Sequence, residues 1–333
     1  MRKGQALPTR RCASVALMLV ALLASLNALA QAGGPWPNRT VKFIVPFEPG
    51  GPVDLTARVI ARNLNAPLGQ PVVIENRPGA GMIIGLGLLA KAAPDGHTWA
   101  ITSNGVAINP SVYKKLPYDT FADLAPVTLI STTPSVLVAH PSTLARTAAD
   151  LVKLAKDRPG ELMYSTSGVG SGNHLAAELF NSLAGINTMH VPYKGSPSSI
   201  AAVVSGDVQF QFGNPIASIP LIRAGKLRGL GTTGARRVAS MPELPPVAES
   251  GVPGYEANQW YGLFTAGGTP APIVKQIQVE VARVIASVEV SKPLSAEGAE
   301  MVGNAPEQFA AFLKSEIAKW AKVVQRAGVT AEY

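Results

Sequence analysis

The stretch that most constrains the fold is Val41–Arg58, VKFIVPFEPGGPVDLTAR. Residues 41–45 are apolar enough for a buried strand, and a turn containing prolines and glycines follows them. A helix pattern then begins near Val53. Because free N–H groups and the positive end of a helix favour anions, this stretch predicts one half of an anion-binding cleft. The other half must come from elsewhere in the chain.

The first 32 residues have the pattern of a secretory signal peptide. A basic lead is followed by an uncharged apolar run from Cys12 to Leu26, and Ala28 and Ala30 form a small-x-small cleavage site. A membrane anchor is the weaker alternative, because the run is shorter than the roughly 20 residues that a span needs. We therefore predict cleavage near residues 30–32 and a periplasmic location.

Loss of this segment changes both the charge and the thiol content of the chain. It removes four basic and no acidic residues from totals of 29 and 21, which leaves a net charge of +4. It also removes the only cysteine, so no disulfide or thiol chemistry is expected. The sequence contains no basic run of the kind that follows a nucleic acid, and no nucleic-acid partner is predicted.

Alternating patterns along the chain predict two α/β units. Helices at 53–65 and 82–92 and strands at 72–74 and 98–102 give βαβαβ with short connections, which is typical of parallel strands. Apolar stretches at 125–130 and 135–139 follow, and a second α/β series runs from Ala148 to Thr232. Two helices with a period of 3.6 residues, at 273–288 and 309–324, end the chain.

A second strand–glycine turn–helix unit occurs at Ser165–His174, STSGVGSGNH. Hydroxyl and N–H groups at a helix start suit a carboxylate or a phosphate. Ordinary turn chemistry, with Ser171 or Asn173 as the N-cap, explains the same residues equally well. The segment is neither GxGxxG nor a P-loop, so nucleotide binding is poorly supported.

The sequence contains few residues in arrangements that are typical of catalytic sites. Ser171 and His174 raise the alternative of a secreted serine hydrolase, but the flanking glycines do not form the GxSxG elbow. None of the four histidines is paired at metal-ligand spacing, so we predict no metal, no cofactor and no enzyme activity. Two residues keep two interpretations: Asp54 either caps its helix or contacts a ligand, and Lys194 either attracts an anion or is a solvated surface charge.

Several segments in the same order along the chain resemble the Bug/TctC family, the extracytoplasmic solute receptors of tripartite tricarboxylate transporters. The segments that carry the resemblance are VPFEPGGPVDLTAR (45–58), VVIENRPGAGMIIG (72–85), SGVGSGNHLAAELF (167–180), HVPYKGSPSSIAAVVSGDVQF (190–210), AGKLRGLGTTGARR (224–237) and ESGVPGYEANQWYGLF (249–264). Together they span nearly the whole chain after the predicted signal peptide.

The resemblance implies an α/β fold of the two-domain periplasmic-binding-protein (flytrap) type, with two crossing hinge strands. Domain 1 would comprise residues 36–133 and 259–333, and domain 2 residues 134–258. The crossings are expected near residues 131–135 and 258–261. A ligand would lie between the domains, which would close on it.

The resemblance also implies the ligand-binding residues, which come from two facing loops and the walls beside them. They are Phe47, Gly50, Gly51, Asp54, Ser103, Asn104, Ser167, Gly170, Ser171, His174, Tyr193, Lys194 and Asn214. In this family one carboxylate is typically held by the two loops, partly through ordered water.

The implied function is capture of a small organic carboxylate and its delivery to the membrane subunits of a transporter, by a monomeric receptor. A receptor that reports to a signalling partner is the alternative. Two positions depart from the family pattern. Asn214 follows Gly213, where many relatives carry an acidic residue, which disfavours an amino-acid ligand. Glu48 places a charge where relatives often have a small or apolar residue.

Overall fold

The predicted βαβαβ unit forms the start of the first sheet. The computed structural model describes residues 36–193, 195–238, 241–296 and 298–330. In it β1 (Val41–Val45) leads through α1 (Pro52–Leu68) to β2 (Val72–Asn76), and a 3₁₀ turn and α2 (Ile83–Ala90) lead to β3 (Thr98–Ser103). β1 lies between β2 and β3 and is parallel to both, as predicted.

The first helix follows directly from its sequence. Val53, Ala57, Ile60 and Leu64 are buried at helical spacing, so one face of α1 packs against the sheet. Pro52 stands in the first turn, where its missing N–H costs nothing, and Gly69 ends the helix in the left-handed conformation.

A helix that the sequence analysis did not predict, α3 (Gly105–Val112), follows β3. It contains Gly105 and Pro110, and its remaining residues are mostly apolar without a polar face, so no 3.6-residue pattern marks it. The helix is mostly buried in the first lobe, and packing stabilises it where local propensity does not. β4 (Leu124–Thr133) comes next, longer than its predicted apolar stretch.

The second sheet takes up the middle of the chain. Its elements are β5 (Val136–Ala139), α4 (Ala148–Asp157), β6 (Met163–Thr166), α5 (Gly172–Ala184), β7 (Met189–Pro192), α6 (Ser196–Ser205), β8 (Phe210–Gly213), α7 (Pro215–Arg223) and β9 (Arg228–Thr232). The strand order is β7-β6-β8-β5-β9. β6 is parallel to β7 and β8, whereas β5 is antiparallel to β8 and β9.

The chain then returns to the first sheet. The returning elements are β10 (Gln259–Ala266), α8 (Ala271–Ala286), α9 (Val288–Ala296), β11 (Glu300–Met301) and α10 (Pro306–Ala327). β10 lies between β3 and β4 and is antiparallel to both, giving the order β11-β4-β10-β3-β1-β2. The chain passes between the sheets after β4 and before β10, where crossings were expected. The prediction of two α/β lobes is confirmed; the exact domain limits stay a prediction.

The two lobes share one apolar cluster on the side where α10 lies. Tyr164 and Phe180 of the second lobe belong to the same buried cluster as Phe309 and Trp320. α10 contacts α3 in the first lobe and α5 in the second. On α10 the buried Glu316 accepts hydrogen bonds from two indole N–H groups, those of Trp260 and Trp320, each at 2.9 Å. The lobes are therefore joined by packed side chains as well as by crossing strands.

The predicted signal peptide lies outside the described residues, which begin at Trp36. Within the described ranges, no helix combines the length and the apolar character that crossing a bilayer requires.

Candidate ligand-binding cleft

Two adjoining cavities lie between the lobes, at the loops that the sequence singled out. We call the cavity of about 460 Å³ the large compartment and that of about 220 Å³ the small compartment. Phe47, Ser103, Ser167, Gly172 and Gln259 line both and form the partition between them. Both predicted loops therefore face one divided cleft.

A bigger cavity, of about 870 Å³, lies elsewhere on the first lobe, over β1, β2 and α2. Its charged lining residues are already paired: Glu75 contacts Lys42 and Arg77, and Arg39 contacts Asp95. Neither glycine-rich loop reaches it. We therefore assign the ligand to the cleft between the lobes rather than to this bigger cavity.

Four helices begin at the small compartment. Residues at the starts of α1, α5, α6 and α7 line it, namely Pro52, Val53, Gly172, Asn173, Ser196 and Asn214. The first-turn N–H groups of a helix have no intrahelical acceptor, and the helix dipole makes this end positive. None of the described residues that line the small compartment carries a formal charge. An anion there would be held by N–H groups, hydroxyls and amides.

Asp54 stabilises the first loop through hydrogen bonds. Its Oδ2 atom accepts the Gly50 N–H at 2.9 Å and the Arg58 Nε–H at 2.8 Å, and its Oδ1 atom accepts the Asn76 amide at 2.8 Å. Burial alone would raise the pKa of this carboxyl, but the hydrogen bonds from Arg58, Gly50 and Asn76 lower the pKa below its usual value. The side chain is 1% exposed and lines neither compartment. This geometry favours a bracing role over direct ligand contact.

The second loop is closed by its own side chains. The Ser171 hydroxyl oxygen lies 2.6 Å from both the Gly168 carbonyl oxygen and the Asn173 Oδ1 atom. The Ser167 hydroxyl also donates to Asn173 Oδ1, at 3.0 Å. Ser171 occupies the N-cap position of α5, as the turn interpretation expected, but its side chain makes no capping hydrogen bond there. Instead these groups fix the loop that lines the cleft.

His174 supports this loop from the interior of the lobe. It is 4% exposed, and its Nδ1 atom accepts the Gly170 N–H at 3.1 Å. Burial and the neighbouring His190 ring, stacked at 3.9 Å, lower the pKa of His174 to about 4, so the ring is neutral near pH 7 and can accept this bond. No hydrogen bond joins Ser171 to His174 among the described residues. The Ser171–His174 pair on which the hydrolase alternative rested therefore does not form within the described residues.

The other predicted residues divide into two groups. Phe47, Ser103, Asn104, Ser167, Gly170, Ser171 and Asn214 line one compartment or both. Gly50, Gly51, His174 and Tyr193 line neither and lie in the loops or behind them. Asn214 also caps α7, because its Oδ1 atom accepts the Ile216 N–H at 2.9 Å. Lys194 lies outside the described residues.

A third loop, residues 79–82, lines the large compartment and was not among the predicted site residues. Ala80 and Met82 have positive φ angles of 45° and 77°, which non-glycine residues rarely adopt. The Asn109 amide of α3 holds the loop by donating to the Gly81 carbonyl at 2.7 Å. Because α3 itself was not predicted, its last residue Val112 and the following residue Tyr113 could not be placed in this wall either. In the sequence, the only indication of this loop is its position within residues 72–85, one of the segments that carry the family resemblance.

Gly172 marks the point where the lobes touch across the cleft. A Cβ atom at this position would lie 2.9 Å from Asn104 Nδ2 and would also overlap the Gln259 amide. Both amides are ends of flexible side chains that can move aside, so we expect Gly172→Ala to weaken ligand binding a few-fold, by displacing two polar groups of the cleft wall. Gly87→Ala is the matched control, because its Cβ atom meets only Pro117 at an ordinary 3.7 Å. Equal affinities of the two variants by calorimetry would contradict this contact.

A family model and a sequence relative both match most of this chain. The family described as "Tripartite tricarboxylate transporter family receptor" matches residues 56–329. Protein BugT of Bordetella pertussis is 35% identical over 317 residues, covering 93% of this chain and 97% of BugT.

Solved structures of similar proteins also match most of this chain. A structure of an R. palustris protein with adipate is 38% identical, has a TM-score of 0.78, and covers 90% of this chain and 100% of its own. MatC from Rhodopseudomonas palustris with bound malate is 31% identical, has a TM-score of 0.75, and covers 87% and 100%. The protein therefore belongs to the family of tripartite tricarboxylate transporter receptors, the Bug/TctC family, whose members are solute receptors and not enzymes.

Proposed function

We propose that this protein captures a small organic carboxylate in the periplasm and delivers it to the membrane subunits of a tripartite tricarboxylate transporter. The observation that carries the proposal is the small compartment, at which four helices begin and which no charged side chain lines among the described residues. Such a site suits one carboxylate group, since the anion meets oriented donors without a covalent step. The malate and adipate bound by two relatives support the same ligand class.

Binding strength would come from fixed donors. Hydrogen bonds to a charged group contribute about 1.5–3 kcal/mol each, so a few first-turn N–H groups and the Ser103 hydroxyl suffice for tight binding. The donors lie on both lobes, so a carboxylate binds fully only when the lobes are close together. Ligand binding would thus stabilise the closed arrangement, which a membrane partner can distinguish from the open one.

The proposal includes export and a monomeric state. Receptors of this family are periplasmic, and the leader pattern of residues 1–32 supplies a route to that compartment. Mass spectrometry of the protein purified from the periplasm should give a new N-terminus near residues 30–32. A protein that keeps its first 32 residues would contradict the leader assignment.

A thermal-shift screen of mono-, di- and tricarboxylates tests the ligand class. A ligand that binds only the folded state raises its stability by RT ln(1 + [L]/Kd), about 2.7 kcal/mol at one hundred times Kd. We expect at least one carboxylate to raise the melting temperature by several degrees, whereas its uncharged amide should not. A screen in which no carboxylate shifts the transition would contradict the proposed function.

A further inference from the structure

The two compartments are lined by different side chains. The small compartment is lined mainly by serine, asparagine and helix starts, as described above. The large compartment presents many apolar side chains, namely Pro46, Phe47, Pro78, Met82, Val112, Tyr113 and Val169. Its polar side chains are Ser103, Ser167 and Gln259 at the partition and Glu48, Asn104, Asn109 and Ser171 beyond it. A ligand whose carboxylate occupies the small compartment would extend its body past the apolar side chains of the large one.

The formal charge in the cleft also favours a ligand whose far end is uncharged. Glu48 is the only formally charged residue among the described residues that line either compartment, and it lines the large one. Glu48 is exposed, and its side chain makes no ion pair or hydrogen bond with the described part of the chain. No described arginine, lysine or histidine faces it in the compartment. The far end of a ligand would therefore lie near a negative charge that no positive charge in the compartment balances.

A second carboxylate would bind poorly in such a place. It would lose water to an apolar wall, which is costly for a charged group. It would also approach Glu48, and like charges brought together in a binding site disfavour the wrong partner. An uncharged end avoids both costs and gains the burial of apolar surface.

We propose that the cleft selects a monocarboxylate with an uncharged, largely apolar body, and that Glu48 is the specificity-determining residue that disfavours di- and tricarboxylates. This inference rests on the proposed carboxylate function and narrows it. The small compartment recognises the carboxylate, and the large compartment excludes a second one. Tyr113 and Val112 provide the surface that the apolar body contacts.

The test compares ligands that share a shape and differ in charge. Hexanoate and adipate have the same six-carbon chain, and benzoate and terephthalate share one ring. Calorimetric titration of the mature protein should give a dissociation constant at least about tenfold lower for the monocarboxylate of whichever pair binds. Glu48→Gln should reduce this ratio several-fold, and the reduction should shrink at high salt because Glu48 is exposed. Glu161→Gln, an exposed glutamate away from the cleft, is the matched control and should leave the ratio unchanged.

The outcomes separate this inference from the proposed function. A dicarboxylate that binds more tightly than its matched monocarboxylate overturns the inference and leaves carboxylate capture intact. A ratio that Glu48→Gln leaves unchanged overturns the role of Glu48. If no carboxylate of any class binds, the proposed function fails and the inference fails with it.

Discussion

Replacing Ser171 by tryptophan is expected to abolish ligand binding. The Ser171 side chain lines the large compartment, and its hydroxyl oxygen lies 2.6 Å from the Gly168 carbonyl and from Asn173 Oδ1. An indole ring there would fill the space between the lobes and open the loop that these contacts close. We expect the affinity to fall by more than about a hundredfold, since overpacking and the lost hydrogen bonds together cost roughly 3 kcal/mol or more.

Ser315→Trp provides the control for this substitution. Ser315 is exposed on α10 and lies in neither compartment, so tryptophan there should leave affinity unchanged. Calorimetric titration of both variants with the best carboxylate of the screen measures the difference, and denaturant unfolding confirms that both are folded. Unchanged affinity of a folded Ser171→Trp protein would remove this loop from the site.

Replacing Asp54 by asparagine is expected to destabilise the protein and to weaken binding at the same time. The buried carboxylate accepts three hydrogen bonds, and an amide in its place would turn a donor toward another donor. Breaking a buried pair costs about 3–5 kcal/mol, and we expect about 2–3 kcal/mol because the Arg58 side chain is half-exposed. Asp157→Asn, on an exposed helix end, should change the free energy of unfolding very little.

The same carboxylate predicts a dependence on pH. The pKa of Asp54 is lower in the folded state than its usual value, so folding favours the ionised form. Its contribution to stability is fully present above the usual aspartate pKa and is lost as the pH falls through the lowered, folded-state pKa. The difference in unfolding free energy between wild type and Asp54→Asn should therefore be constant near pH 7 and shrink in acid. A difference that grows on acidification would contradict the ionised brace.

Where local residues decide the structure, the sequence predicted it well. α1 was found from its apolar spacing and the glycines around it, and β1, β2 and β3 were found from short apolar runs between turns. Both loops were recognised because glycines and hydroxyl residues occur directly before a helix pattern. The lining residues Phe47, Ser103, Ser167 and Ser171 follow from these loops and from the resemblance.

Where distant residues decide the structure, the sequence could not predict it. Ala80 and Met82 adopt left-handed conformations against their own preference, while Asn109 holds the loop and Met82 packs on Gly105. The resemblance places His174 among the ligand-binding residues, as the last residue of the second loop. In the structure its ring stacks on His190, which comes from a different strand, and it lines neither compartment. Contacts of this kind depend on how helices and strands pack together. That packing cannot be inferred from any single segment of the sequence.

The position of α10 gives the receptor the geometry of a lever. α10 contacts α3 and α5, and Arg326 near its end donates to Ser182 of α5 at 3.0 Å. α5 begins at the cleft, at Gly172, and Ser182 lies near its other end, so this helix runs from the cleft to its contact with α10. A small rotation of the second lobe about that contact would displace the cleft end of α5 most. The apolar packing around α10 would then change little while the gap at the mouth opened or closed.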